Sequence, residues 1–247
     1  MTPKKVYERA ILNWPEEDRP REKLLRHGAH TLSSAELLAI LIRSGVEGSS
    51  AVDLGRELLR KFETLRAIGA CDPAELMEIK GLSTAKVAQI KAAVELGRRM
   101  ISEERALEGP IRSSSDVADY LMPLLRDLKQ ETFKVVLLDR RNSVLDVVDI
   151  DEGNVASTQP SIRKIMLRAA QAYASAIIAV HNHPSGDPTP SEQDKLLTRD
   201  LVGAGRAMEI RVFDHLIIAD GRYFSSADEG LIEDYEMQAV MMSNKGV

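Results

Sequence analysis

The stretch His181-Asn182-His183-Pro184-Ser185-Gly186-Asp187-Pro188-Thr189-Pro190-Ser191-Glu192-Gln193-Asp194 holds the residue types best suited to chemistry. Two of the chain's five histidines stand one residue apart. A loop broken by proline and glycine follows, then a serine and an aspartate. The preceding Ala176-Ile177-Ile178-Ala179-Val180 is a short apolar run bounded by turn residues, the pattern of a buried strand. Residues two apart at a strand end point to one side, so His181 and His183 can aim both imidazoles at a single point. Asp194 opens the next periodic segment and can add an anionic ligand. Two histidines and a carboxylate leave a tetrahedral zinc with one open position, the arrangement of a catalytic rather than a structural site. Two plainer readings compete. A core histidine can simply be hydrogen-bonded, and Ser191-x-x-Asp194 is also the pattern of a helix N-cap with a capping box. The constellation taken whole favours metal.

The elements around this stretch read as an α/β (α+β) domain with a mixed or antiparallel sheet and flanking helices. A helix over 117–128 follows the cap-like Ser113-Ser114-Ser115-Asp116. Strands over 133–139 and 144–150 form a hairpin about Arg140-Arg141-Asn142-Ser143. An amphipathic helix covers 161–173, the histidine strand follows, and a helix covers 191–208. A second hairpin joins 211–218 to 222–224 through Asp220-Gly221, and a last helix starts near Ala227.

The part before residue 109 is different in kind. Residues 1–20 are polar and proline-interrupted, an extended lead-in that docks through Trp14. From Arg21 to about Glu104 the pattern is helical, with four or five short helices and capped starts such as Leu32-Ser33-Ser34-Ala35-Glu36. The break at 105–113 marks a boundary, giving a small all-α domain over 1–108 and an α/β domain over 109–247.

His181-x-His183, seven residues, Ser191, two residues, Asp194 resembles the JAMM signature of the JAB/MPN metallopeptidases. The variant His-Asn-His-Pro-Ser-Gly-Asp-Pro, with Asp214-His215 downstream, is similar to the bacterial RadC family, and the resemblance covers most of the chain. It implies a JAB/MPN fold, a zinc cofactor held by His181, His183 and Asp194, and cleavage of a peptide or isopeptide bond in a substrate still unnamed. It also implies a proton shuttle, a glutamate at the edge of the domain's first strand. Glu131 stands there, with Asp139, Asp149, Asp151 and Glu152 as rivals at other strand ends. Ser191 would then donate to the oxyanion forming on the attacked carbonyl. No spacing ties His215 to the others, leaving a second-shell or a purely structural role.

Leu76-Met77-Glu78-Ile79-Lys80-Gly81-Leu82-Ser83-Thr84-Ala85-Lys86-Val87 resembles the helix-hairpin-helix motif. That motif offers a glycine turn and a helix N-terminus to a phosphate. The expectation is weak, sequence-independent DNA contact through Gly81 and Lys86, with Lys80 adding charge. Ser83 replaces the motif's second glycine, and its Cβ narrows the approach. The family name adds an implied link to DNA repair.

Composition limits the alternatives. The chain has 247 residues, 44% hydrophobic and 29% charged, with net charge −5 and pI about 5.7, so no global basic field recruits nucleic acid. The balance is uneven: 18 basic and 17 acidic residues in 1–110 against 15 and 21 in 111–247. Nucleic-acid contact therefore falls to the first part. One cysteine, Cys71, excludes an internal disulfide framework and a thiolate metal cluster. No apolar leader follows the basic Lys4-Lys5, and no run is long enough to span a membrane, which points to the cytoplasm. Two rival functions remain: a DNA-associated accessory protein with an inert zinc site, and a metal-dependent nuclease. The nuclease would need a second set of ligands for a two-metal site.

Overall fold

The computed structural model describes residues 11–104, 109–150 and 160–244. The chain divides into two compact units, Met1–Gly97 and Arg98–Val247. The expected boundary at 108/109 adjoins residues 105–108, which lie outside the described ones.

Among the described residues of the first unit, six α-helices follow one another: α1 (Pro20–His27), α2 (Ser34–Ile42), α3 (Ala51–Phe62), α4 (Leu65–Ala70), α5 (Pro73–Met77) and α6 (Thr84–Glu104), the last continuing past Gly97. Their starts are set by side chains. Ser33 and Glu36 form a capping box on α2, and Ser50 and Asp53 form another on α3, each satisfying helix N–H groups that have no partner within the helix. Ala35, Leu38 and Ile42 of α2 pack with Leu54 and Leu58 of α3, Leu76, Val87 and Ile90. The lead-in is not extended over its described part. It forms 3-10 turns at Ile11–Asn13 and Glu16–Asp18, because the Arg19 guanidinium donates to the carbonyls of Trp14 and Leu12. Trp14 does pack against the helical core, as expected.

The hairpin joining α5 to α6 turns at Gly81, whose φ of +105° suits glycine. A Cβ there would lie 2.6 Å from Val46, so the turn is closed by tertiary contact as well as by conformation.

The second unit is built on a five-stranded mixed sheet. Its strands are β1 (Phe133–Leu138), β2 (Val144–Asp149), β3 (Ala176–Asn182), β4 (Arg211–Ala219) and β5 (Arg222–Ser225), in the order β2-β1-β3-β4-β5. The β3/β4 pair is parallel and the other neighbours are antiparallel. Every residue of the central β3 is buried, which is why this strand reads as an apolar run without alternation.

Helices cover both faces. On one side Val117, Leu121 and Leu125 of α7 (Ser114–Leu125) pack on Val136, Leu138, Ile178 and Val180. On the other, α8 (Ile162–Gln171), α9 (Glu192–Ala207) and α10 (Leu231–Asn244) enclose Val135, Leu137, Ile177 and Ala179. The last helix thus starts later than Ala227. Asp214 takes the Ala227 N–H and the Ser225 hydroxyl into a turn, and Gly230 at φ +75° ends that turn before the helix begins. No described helix is long and apolar enough to cross a membrane.

Candidate metal centre

His181 is the penultimate residue of β3, and the pleat turns it toward the α9 side with Ile177 and Ala179. It is fully buried, and stacks on Phe133, its register partner on β1. His183 lies just past the strand end, where its N–H bonds to the Ile218 carbonyl and its ring Nδ1 lies 2.9 Å from the Asp187 carbonyl. The two imidazoles converge, Nε2 to Nε2, at 3.0 Å.

Asp194 arrives from the first turn of α9. Its Oδ1 lies 3.3 Å from His181 Nε2 and its Oδ2 lies 3.5 Å from His183 Nε2. One ligand atom from each of the three residues falls within 4.8 Å of the others. Zinc–nitrogen bonds of about 2.05 Å at a tetrahedral angle place two nitrogens about 3.3 Å apart, close to the separation found. The donor set and its spacing fit a zinc ion.

The capping reading of Ser191-x-x-Asp194 also holds, and it does not compete with the ligand reading. Asp194 Oδ2 accepts from the Ser191 N–H at 2.7 Å and from its hydroxyl at 2.6 Å, while Ser191 Oγ accepts the Asp194 N–H at 3.2 Å. The box orients the carboxylate and leaves Oδ1 toward His181. Burial works to raise the Asp194 pKa, but the neighbouring His181 ring and the Ser191 hydroxyl and N–H outweigh it and hold the carboxyl well below the usual range.

Glu131 sits on the rim, its Oε1 3.8 Å from His181 Nε2. With His183, Ser191 and Asp194 it lines a recess of about 410 Å³ whose apolar wall includes Phe133 and Leu197. Its rivals lie elsewhere. Asp139 accepts the Arg141 and Ser143 N–H groups at the β1–β2 turn, and Asp149 pairs with Lys134. Asp151 and Glu152 lie outside the described residues.

Two residues of this site, Asn182 and Thr198, carry no motif of their own in the sequence, which leaves His215 between supporting a ligand and a purely structural role. Asn182, between the histidines, points away from them. Its Oδ1 accepts the Thr132 N–H at 2.8 Å and its Nδ2 donates to the carbonyls of Gln130 at 3.1 Å and Leu128 at 3.3 Å. That side chain holds the loop bearing Glu131 against β3. His215, on β4, places Nε2 2.9 Å from His181 Nδ1. Thr198 places Oγ1 2.6 Å from His215 Nδ1. Thr198 stands four residues after Asp194, so helical spacing alone would put both on one face of α9. Burial beside His181 brings His215 down to about 3 from 6.5, keeping it neutral.

In the first unit, Lys86 Nζ donates to the Ser44 carbonyl at 2.6 Å and the Gly81 carbonyl at 2.8 Å. Burial lowers its pKa. The cation predicted for DNA therefore ties the hairpin to the loop after α2, while Lys80 stays exposed.

A family model described as the RadC-like JAB domain matches residues 111–231, and one described as UPF0758 N-terminal matches residues 11–88. A UPF0758 protein of Pelobacter propionicus is 47% identical over 227 residues, spanning 90% of this chain and 98% of the relative. The chain belongs to the RadC-like UPF0758 family. Other UPF0758 proteins share this end-to-end likeness. That of Trichlorobacter lovleyi is 45% identical over 90% of this chain and 98% of its own length. That of Chloroflexus aurantiacus is 42% identical over 88% and 95%. The RadC-like match spans the whole described site, from Glu131 through Asp194 to His215.

Proposed function

We propose that this member of the UPF0758 family is a JAMM-type metallohydrolase that cleaves a peptide or isopeptide bond. The observation that carries the reading is the convergence of His181 Nε2, His183 Nε2 and Asp194 beneath a recess rimmed by Glu131. Those three residues hold the metal, with zinc the ion their donor types fit best. Bound zinc supplies Lewis-acid chemistry, polarising a carbonyl and acidifying water.

Glu131 is the general base that takes the proton of the attacking water and passes it to the leaving nitrogen. Its place on the rim, near the ligands without being one, supports that role. Ser191 lines the same recess and is the hydroxyl we assign to the developing oxyanion. Its proton rests on Asp194 Oδ2, so the role requires that proton to turn toward the substrate. The described lining carries two carboxylates and no lysine or arginine. A neutral amide suits such walls better than a phosphodiester, which needs cations around its charge. A single ligand cluster among the described residues also favours the amide reaction over a two-metal nuclease.

The test is a screen of zinc-loaded protein against peptides and isopeptide-linked conjugates, followed by Glu131→Gln. That variant is expected to keep its metal and to lose about 10²–10⁴-fold in rate. A Glu131→Gln protein that cleaves at nearly the wild-type rate overturns the assignment of the base. A fully zinc-loaded protein that cleaves nothing favours the accessory-protein reading. DNA is a second partner in our proposal. With Lys86 engaged, the contact would fall to Lys80 and the backbone N–H groups at the start of α6.

A further inference from the structure

We propose that Thr198 and His215 are positioning residues that fix the tautomer of His181, so that an Nε2 lone pair rather than an N–H faces the metal position. The inference rests on the metal reading of the site and adds the residues that prepare it. The Asp194 main-chain carbonyl can only accept. Thr198 Oγ1, 2.6 Å away, must donate its single proton there. Toward His215 Nδ1, also at 2.6 Å, the same oxygen can only accept, so that nitrogen carries the hydrogen. A neutral imidazole has one N–H, which leaves His215 Nε2 as a lone pair. It accepts from His181 Nδ1 at 2.9 Å.

His181 has then spent its N–H on Nδ1. Its Nε2 lone pair faces His183 Nε2 at 3.0 Å and Asp194 Oδ1 at 3.3 Å. His183 is set separately, its Nδ1–H donating to the Asp187 carbonyl. Each imidazole thus presents an unprotonated nitrogen at the point where the carboxylate arrives. Reversing the chain would require the Thr198 hydroxyl to leave the Asp194 carbonyl, a hydrogen bond between buried groups. The chain also begins on the backbone of a ligand. One turn of α9 therefore carries the Asp194 carboxylate and, through Thr198, selects the reactive nitrogen of His181. Hydrogen-bond partners of this kind raise ligand basicity and hold ring orientation.

Thr198→Val keeps the side-chain shape and removes the acceptor for His215; Thr198→Ser restores it. Long-range proton–nitrogen correlation on histidine-labelled, chelator-treated protein reads the His181 tautomer without metal. Wild type and Thr198→Ser are expected to carry the proton on Nδ1, and Thr198→Val to show protonation of Nε2. By chelator competition, zinc affinity should fall about 10–100-fold in Thr198→Val and recover in Thr198→Ser. Metal-free wild type with His181 protonated on Nε2 overturns the proposal, and that reading stands even if Thr198→Val does not fold. So does Thr198→Val with an unchanged tautomer, or a loss of affinity that serine fails to restore. A wild type that binds no zinc sinks the metal reading instead, and the tautomer signature still decides the role of Thr198 and His215.

Discussion

Asp194 serves two purposes with one carboxylate, and the purposes can be separated. Oδ2 holds the Ser191 N–H and hydroxyl, and Oδ1 faces His181. Asparagine keeps an oxygen for the cap but loses the charge that a dication needs. Asp194→Asn should therefore lower metal-free stability only modestly, by about 1 kcal/mol, since an amide oxygen at the third helical position can still accept the Ser191 N–H. Its zinc affinity should drop by far more than that. Urea unfolding and chelator competition on the same samples read the two effects. Unchanged zinc affinity would return Asp194 to the cap alone. Ser191 belongs to the same pair, which is why the four-residue spacing looked like a cap and a ligand at once: both readings describe one geometry.

At the level of elements, the site is a junction of the end of β3, the first turn of α9 and the loop before β1. Asn182 joins the last of these to the first through three hydrogen bonds. Asn182→Ala removes all three, each worth about 0.5–1.5 kcal/mol net, and loosens a loop whose backbone groups are only partly buried. Amide exchange over 128–132 should quicken while zinc content stays at the wild-type level, because Asn182 touches no ligand. Exchange unchanged in that loop would mean that Glu131 is held by something else. The strands, the capped helix starts and the convergence of His181, His183 and Asp194 were legible because each rests on local spacing: an apolar run, a serine three residues before an acid, a histidine pair. The bonds made by Asn182, His215 and Lys86 were not. Their roles depend on which strands pair and which loops meet across the fold, and no spacing within one segment encodes that. The start of α10 was misjudged for a similar reason, since Asp214, from another strand, decides where the preceding turn closes.

For the whole molecule, family membership joins a helical unit to a sheet unit in one chain, and the partners proposed for the two differ. The helical unit's Lys86 is committed to two carbonyls, so the proposed DNA contact would turn on Lys80 and on salt. Titrating the full chain with duplex DNA at low ionic strength should show weak binding that fades as salt rises and weakens further in Lys80→Glu. Absence of binding, or indifference to that substitution, removes DNA from the account. The sheet unit carries the central claim, that His181, His183 and Asp194 hold a metal ion. Elemental analysis of protein grown in zinc-replete medium, beside the His181→Ala/His183→Ala double variant, tests it most directly. About one zinc per wild-type chain is expected, and loss of that zinc in the variant. A wild type without stoichiometric metal, or a double variant that retains it, would contradict the account.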